Sequence, residues 1–278
     1  MALVEAGDLL STNSGARVAL LDGTWRLGDG TRTARENFLN AHIPDAVFFD
    51  IDEISDRSSP LPHMAPGADA FAEAVGALGV SESDRVVVYD QDGVTSSPRV
   101  WWLFKAMGHR RVEVLNGGLK AWINAGGEVA QGAAEIEPAR YRKPGRPSRL
   151  AGAEDARRAL ADGLVIDARP ADRFAGSAPE PRPGLRPGAM PGALNVPAAN
   201  LVGADGRLKP AATLRAIFTD AGLSAKPVVT TCGSGVSAAL VGLALDVIGH
   251  AAWALYDGSW AEWGGVDQDA GLFPVVQA

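Results

Sequence analysis

Val228-Val229-Thr230-Thr231-Cys232-Gly233-Ser234-Gly235-Val236-Ser237 joins three kinds of local structure within a few residues. The β-branched run favours a strand. The small residues after it suit a tight loop, and the apolar stretch from Val236 has the length and period of a helix. The same grammar occurs earlier, at Val86-Val87-Val88-Tyr89-Asp90-Gln91-Asp92-Gly93-Val94-Thr95, and the two stretches match position by position. Their sharpest difference is chemical, because Asp90 stands where the later copy has Cys232.

Working outward, Gly108-His109 matches Gly249-His250, and Leu115-Asn116-Gly117-Gly118-Leu119-Lys120-Ala121-Trp122 matches Tyr256-Asp257-Gly258-Ser259-Trp260-Ala261-Glu262-Trp263. Upstream, Leu21-Asp22 pairs with Ile166-Asp167, and Ile43-Pro44-Asp45-Ala46 with Met190-Pro191-Gly192-Ala193. Matches kept in one order mean a duplicated domain, and a chain of 278 residues has room for two. The expected boundaries are a first domain over 1–137, a linker over 138–149 interrupted by Pro138, Pro144, Gly145 and Pro147, and a second domain over 150–278. The linker's five positive charges read as a solvated connector. Strands are expected at 18–21, 86–88, 164–166 and 228–231, and helices over 68–78, 99–107, 211–221 and 236–248. Strands alternating with helices define an α/β fold, here two tandem domains, each a mostly parallel sheet with helices on both faces. Ligands of such sheets bind beyond the carboxyl ends of the strands, where Cys232 falls.

Composition narrows the function. Hydrophobic residues make up 46% and charged residues 21%, an ordinary globular balance. The net charge of −7 lacks the basic footprint of a nucleic-acid binder. No apolar stretch is long enough to span a membrane, and Met1-Ala2-Leu3-Val4-Glu5 begins no secretory leader. Together with a free thiol, this leads us to expect a cytoplasmic protein. One cysteine and four scattered histidines leave no intramolecular disulfide and no zinc-type ligand set, so neither metal nor cofactor is expected. Cys232 is therefore a buried small hydrophobe or a reactive thiol.

Its context favours the thiol. A loop with Gly233 and Gly235 can turn backbone N–H groups inward, and the following helix N-terminus adds positive potential, so the loop suits an anion, including an anionic sulfur. Cysteine phosphatases close such a loop with an arginine six positions after the nucleophile, to clamp the phosphoryl group. Here that position is Ala238, and Ser234 and Ser237 are the loop's polar side chains. A phosphate dianion would be poorly compensated. A small monoanion, or a neutral sulfur beside a separately held carboxylate, fits better.

From Leu21-Asp22-Gly23-Thr24-Trp25 to Tyr256-Asp257-Gly258-Ser259-Trp260, the chain resembles the tandem-domain rhodanese-like sulfurtransferases. Thr231-Cys232-Gly233-Ser234-Gly235-Val236-Ser237-Ala238 is similar to the loop of the 3-mercaptopyruvate type and lacks the basic residues of the thiosulfate type. The resemblance implies that Cys232 takes up a sulfane sulfur as a persulfide and passes it to a second nucleophile. It implies that N–H groups of Gly233, Gly235, Val236 and Ser237 hold the charge, and that Arg173 and Arg182 grip the donor's carboxylate. Arg169, in Asp167-Ala168-Arg169, is expected to brace the loop through a buried ion pair. Phe48-Phe49-Asp50-Ile51-Asp52 and Leu61-Pro62-His63-Met64 resemble segments that supply Asp52 and His63 to a relay ending on the Ser234 hydroxyl. Asp90 makes the first copy a non-catalytic half.

Some positions depart from the family pattern: Asp45 replaces a glycine in His42-Ile43-Pro44-Asp45-Ala46, and Ala189 replaces a histidine before Met190. Both are read as turn positions. The expected activity is transfer of sulfur from 3-mercaptopyruvate to a thiol such as reduced thioredoxin or a small thiol, or to cyanide, with release of pyruvate. Thiosulfate:cyanide sulfur transfer is the second reading, and a non-catalytic persulfide carrier for a partner protein is the reading from another class. Acceptor, pathway and oligomeric state are not legible in the sequence.

Overall fold

The computed structural model describes residues 2–11, 17–28, 32–142 and 148–277. Residues 143–147 of the expected linker lie outside the described residues. The chain forms two units: residues 1–57, 65–148 and 202–208 in the first, and residues 58–64, 149–201 and 209–278 in the second.

The first unit runs β1 (Leu3–Val4), α1 (Ala6–Ser11), β2 (Val18–Asp22), α2 (Arg32–Asn40), β3 (Val47–Phe48), α3 (Ala68–Ala77), β4 (Arg85–Tyr89), α4 (Ser97–Ala106), β5 (Val112–Leu115) and α5 (Gly118–Asn124). Its strands form one sheet in the order β1-β5-β4-β2-β3, and every pairing is parallel. The central strand β4 buries Val86, Val87, Val88 and Tyr89 completely, as expected for a strand covered on both faces. Helix α4 begins two residues before the sequence-based start, with Pro98 in its first turn. The first turn tolerates proline because its N–H groups have no intrahelical partner.

The second unit repeats the plan with β6 (Leu150–Ala151), α6 (Ala153–Asp162), β7 (Leu164–Asp167), α7 (Ala171–Ala175), β8 (Leu194–Asn195), a 3₁₀ turn (Ala198–Leu201), α8 (Ala211–Asp220), β9 (Val228–Thr231), α9 (Val236–Ile248), β10 (Trp253–Tyr256) and α10 (Ser259–Trp263). Its sheet order is β6-β10-β9-β7-β8, again all parallel. Helix α9 is apolar on nearly every face, and its residues from Ala238 to Leu245 are all buried, the pattern of a helix inside a core. On the core side of α6, Val165, Val229, Tyr256, Trp260 and Trp263 pack into one cluster.

This strand order sets the position of the site. From β7 the chain runs to one side of the sheet, and from β9 it runs to the other, so a crevice opens between their carboxyl ends. Asp167 and Thr231 are paired at those ends. Arg169 and Cys232 follow directly. In the first unit the matching crevice lies between β2 and β4, with Asp22 opposite Tyr89 and Asp90 next along the chain.

Candidate active site

Cys232 is 2% exposed and leaves β9 at the floor of the crevice. Its loop is fixed from behind by the start of α10. The Cys232 N–H donates to Ser259 Oγ at 3.3 Å, the Trp260 N–H donates to the Cys232 carbonyl at 2.9 Å, and the Ala261 N–H donates to the Gly233 carbonyl at 2.9 Å. Gly235 turns the chain into α9 at φ +80°, a left-handed conformation that favours glycine. Val236 and Ser237 form the first turn of α9, and Ser234 is 5% exposed.

Two arginines reach this loop from the segment after β7. A β-carbon placed on Gly233 would lie 3.2 Å from Arg173 Nη2 and 3.9 Å from Arg182 Nη1. Both guanidinium groups therefore stand against the residue that follows Cys232, and Gly233 leaves them the space. Arg173 Nε is buried without a hydrogen-bond partner among the described residues.

Behind Arg173 runs a buried chain of charges. Arg169 Nε and Nη2 both donate to Asp167 Oδ2, at 2.9 and 2.7 Å, and Nη2 also donates to the Gly188 carbonyl at 2.8 Å. Its Nη1 donates to Glu180 Oε1 at 2.7 Å, and Glu180 Oε2 accepts from Arg173 Nη2. The Asp167, Arg169 and Glu180 side chains are each 1% exposed. The Arg169 guanidinium also stacks 3.9 Å from the Trp260 ring centroid. The expected Arg169 ion pair is thus present and extends through Glu180 to Arg173. A buried network of this kind holds because its charges are paired, and removing one leaves an uncompensated buried charge.

His63 belongs to the second unit. Its Nε2 lies 3.2 Å from Arg182 Nη2. A guanidinium only donates, so Nε2 is the acceptor in this contact. His63 also takes φ +60°, an uncommon conformation for a residue with a side chain. Asp52 belongs to the first unit, where its carboxylate accepts from Trp25 Nε1 at 3.0 Å. The structure thus gathers Cys232, Gly233, Arg173, Arg182 and His63 in one unit and places Asp52 in the other.

Two residues at the site were not singled out by sequence. Glu180 sits between Pro179 and Pro181, where a carboxylate reads as a surface loop residue. Ser259 occupies the position of Gly118 in the repeat and holds φ +48° there, against +59° for Gly118. A side chain at a position that the other copy fills with glycine was the available signal. Its hydroxyl anchors the Cys232 N–H and donates to the Tyr256 carbonyl at 2.8 Å.

The first unit shows what the same loop does with a built-in anion. Asp90 is completely buried, and its carboxylate accepts from the N–H groups of Thr95 at 2.6 Å, Ser96 at 3.1 Å and Ser97 at 2.7 Å. It also accepts from the Ser96 and Ser97 hydroxyls at 2.7 and 2.8 Å. Burial pushes its carboxyl up to about 6, and these bonds pull the other way. The matching backbone donors in the second unit belong to Ser237, Ala238 and Ala239. The Asp-x-Arg pair has no counterpart here: Asp22 bonds Thr24 Oγ1 at 2.6 Å and Gln91 Nε2 at 2.5 Å, and burial raises its carboxyl as well.

Among the described residues, no group of three or more His, Cys, Asp or Glu is placed to hold a metal ion, and no helix is long and apolar enough to cross a membrane. A duplicated α/β domain with one buried cysteine in a glycine loop at the sheet's switch point defines the class, and the Rhodanese-like domain profile matches residues 13–125 and 152–265. The chain belongs to the rhodanese-like family and is a tandem-domain sulfurtransferase of it. It is 41% identical over 260 residues to human 3-mercaptopyruvate sulfurtransferase, covering 92% of this chain and 88% of that protein. It is 40% identical over 255 residues to bovine thiosulfate sulfurtransferase, covering 90% and 86%. The crystal structure of SseA from Escherichia coli, described as a 3-mercaptopyruvate sulfotransferase, superposes with a TM-score of 0.82 at 38% identity, covering 94% of this chain and 99% of that one.

Proposed function

We propose that the protein moves sulfane sulfur from 3-mercaptopyruvate to a thiol acceptor through a Cys232 persulfide and releases pyruvate. The observation that carries this reading is the convergence of Arg173 and Arg182 on Gly233, beside a loop with no charged side chain of its own. Two guanidiniums suit the carboxylate of a small keto acid, and holding that end fixes the donor's sulfur in front of the nucleophile.

In the proposed step, the Cys232 thiolate attacks the donor's sulfur. A sulfur–sulfur bond forms as the carbon–sulfur bond breaks, and the electron pair stays on carbon as the enolate of pyruvate, which takes up a proton. The loop N–H groups of Gly233, Gly235, Val236 and Ser237 hold the persulfide's charge. Asp90 in the other copy supports the Ser237 part of this assignment, since Thr95 N–H, at the matching position, holds the Asp90 carboxylate. A thiol, such as reduced thioredoxin or a small thiol, then attacks the outer sulfur and restores the Cys232 thiolate.

For the carbonyl and enolate we retain the relay of Asp52, His63 and Ser234 implied by the family resemblance. In its favour, His63 and Ser234 are both buried and belong to the same unit. The first copy is read as non-catalytic, with Asp90 filling the anion cradle and repelling a second anion.

The deciding experiment is a paired steady-state assay with mercaptopyruvate and thiosulfate on one preparation. We expect the larger kcat/KM for mercaptopyruvate; a larger value for thiosulfate overturns the donor assignment. Many turnovers with a small thiol eliminate the carrier reading. In the same preparation, mass spectrometry after donor treatment should find one added sulfur on Cys232 and none in Cys232→Ser. Sulfur on another residue refutes the mechanism.

A further inference from the structure

We infer that Glu180 is a specificity-determining residue: by cancelling the charge of Arg173, it makes this wall of the site select donors that carry a single negative charge. The inference rests on the sulfurtransferase reading above and extends it to the charge of the donor.

Asp167, Arg169, Glu180 and Arg173 form one continuous hydrogen-bonded chain. Its two carboxylates and two guanidiniums sum to zero. The three inner side chains are each 1% exposed, while Arg173 at 16% stands nearest the crevice. Arg173 therefore meets the donor as a fork of N–H groups whose charge Glu180 offsets. A fork without net charge can bond an oxygen of any small anion. It does not compensate a second negative charge, whose desolvation the donor must bear on entering a buried site.

Glu180 is the member that matters for this balance. Asp167 is the partner of Arg169 and sits one guanidinium further from the loop, whereas Glu180 touches Arg173 itself. Its charge is locked in place by two arginines and flanking prolines. A unit charge within about 4–6 Å shifts an ionisation equilibrium by one to three powers of ten. Removing it should therefore favour a dianion over a monoanion by about tenfold or more.

The test uses Glu180→Gln and Glu180→Asp in the full chain, with kcat/KM measured for mercaptopyruvate, a monoanion at neutral pH, and for thiosulfate, a dianion. Loss of positioning alone lowers both values together and leaves their ratio fixed. The inference expects Glu180→Gln to move the ratio toward thiosulfate by about tenfold, and Glu180→Asp, which keeps the charge, to leave the ratio within about twofold of wild type. An unchanged ratio in Glu180→Gln, or an equal shift in Glu180→Asp, overturns it. If Glu180→Gln does not fold, competitive inhibition of the wild-type enzyme by methanesulfonate and by sulfate decides: sulfate binding about tenfold tighter refutes a charge-neutral wall. A wild-type preference for thiosulfate would instead overturn the donor assignment, so the two failures are separable.

Discussion

Replacing Asp90 by Asn keeps the side chain's shape and removes its charge, and the structure sets the size and pH dependence of the result. Both Asp90 oxygens accept from a backbone N–H and a serine hydroxyl. An amide nitrogen in place of either oxygen would face a backbone N–H that cannot turn away, at a cost of about 1–3 kcal/mol for the orphaned donor. Against this, burial has pushed the carboxyl from 3.8 to about 6. At roughly 1.4 kcal/mol per pK unit, keeping Asp90 ionised in the folded state costs about 3 kcal/mol at neutral pH. Because the folded-state value is the higher one, the folded protein binds this proton more tightly than the unfolded chain. The stabilisation is present below 3.8, is lost as pH rises toward 6, and is constant above. Wild type and Asp90→Asn should therefore have similar stability at pH 7, and the wild type should gain about 1 kcal/mol on the variant at pH 5. Urea unfolding of both proteins at the two pH values, followed by circular dichroism, measures the difference while the other titrating groups cancel. A stability gap that is the same at both pH values, or wider at pH 7, refutes the account of Asp90 as a buried, strained anion.

Arg169→Met removes the centre of the buried charge chain, leaves Asp167 without its guanidinium, and should destabilise the protein by about 3–5 kcal/mol, read as a lowered midpoint in denaturant. Arg173→Ala and Arg182→Ala should each raise KM for mercaptopyruvate more than they lower kcat, with a loss in kcat/KM of about 1–3 kcal/mol for a missing charged hydrogen-bond partner; unchanged kinetics in both variants remove the carboxylate clamp.

Much of this was legible in the sequence, for physical reasons. Buried parallel strands are nearly continuous apolar runs, so the strands at Val86 and Val228 stood out, and the repeat showed that one loop carries Cys232 where the other carries Asp90. The Asp167–Arg169 pair was also legible, through the Asp-x-Arg pattern that the family resemblance implied. Three features were not. Helix α4 begins before Pro98, since its first turn has no need of that N–H. The grouping of residues 58–64 with the second unit, and of 202–208 with the first, is set by tertiary contacts that no local pattern encodes. The role of Glu180 depends on two arginines converging on one carboxylate, and for neither pair does sequence spacing supply the geometry.

Trp260 ties these parts together mechanically. Its backbone N–H holds the Cys232 carbonyl, its ring lies against Arg169, and its Nε1 donates to the Arg186 carbonyl at 3.0 Å. The Cys232 loop and the root of the arginine chain thus share one fully buried residue. Near-attack geometry depends on the separation of two reacting groups rather than on the position of either alone. In the proposed mechanism the Cys232 sulfur and a donor held by Arg173 are therefore referred to one common anchor, and a change at Trp260 would reach both ends of that distance.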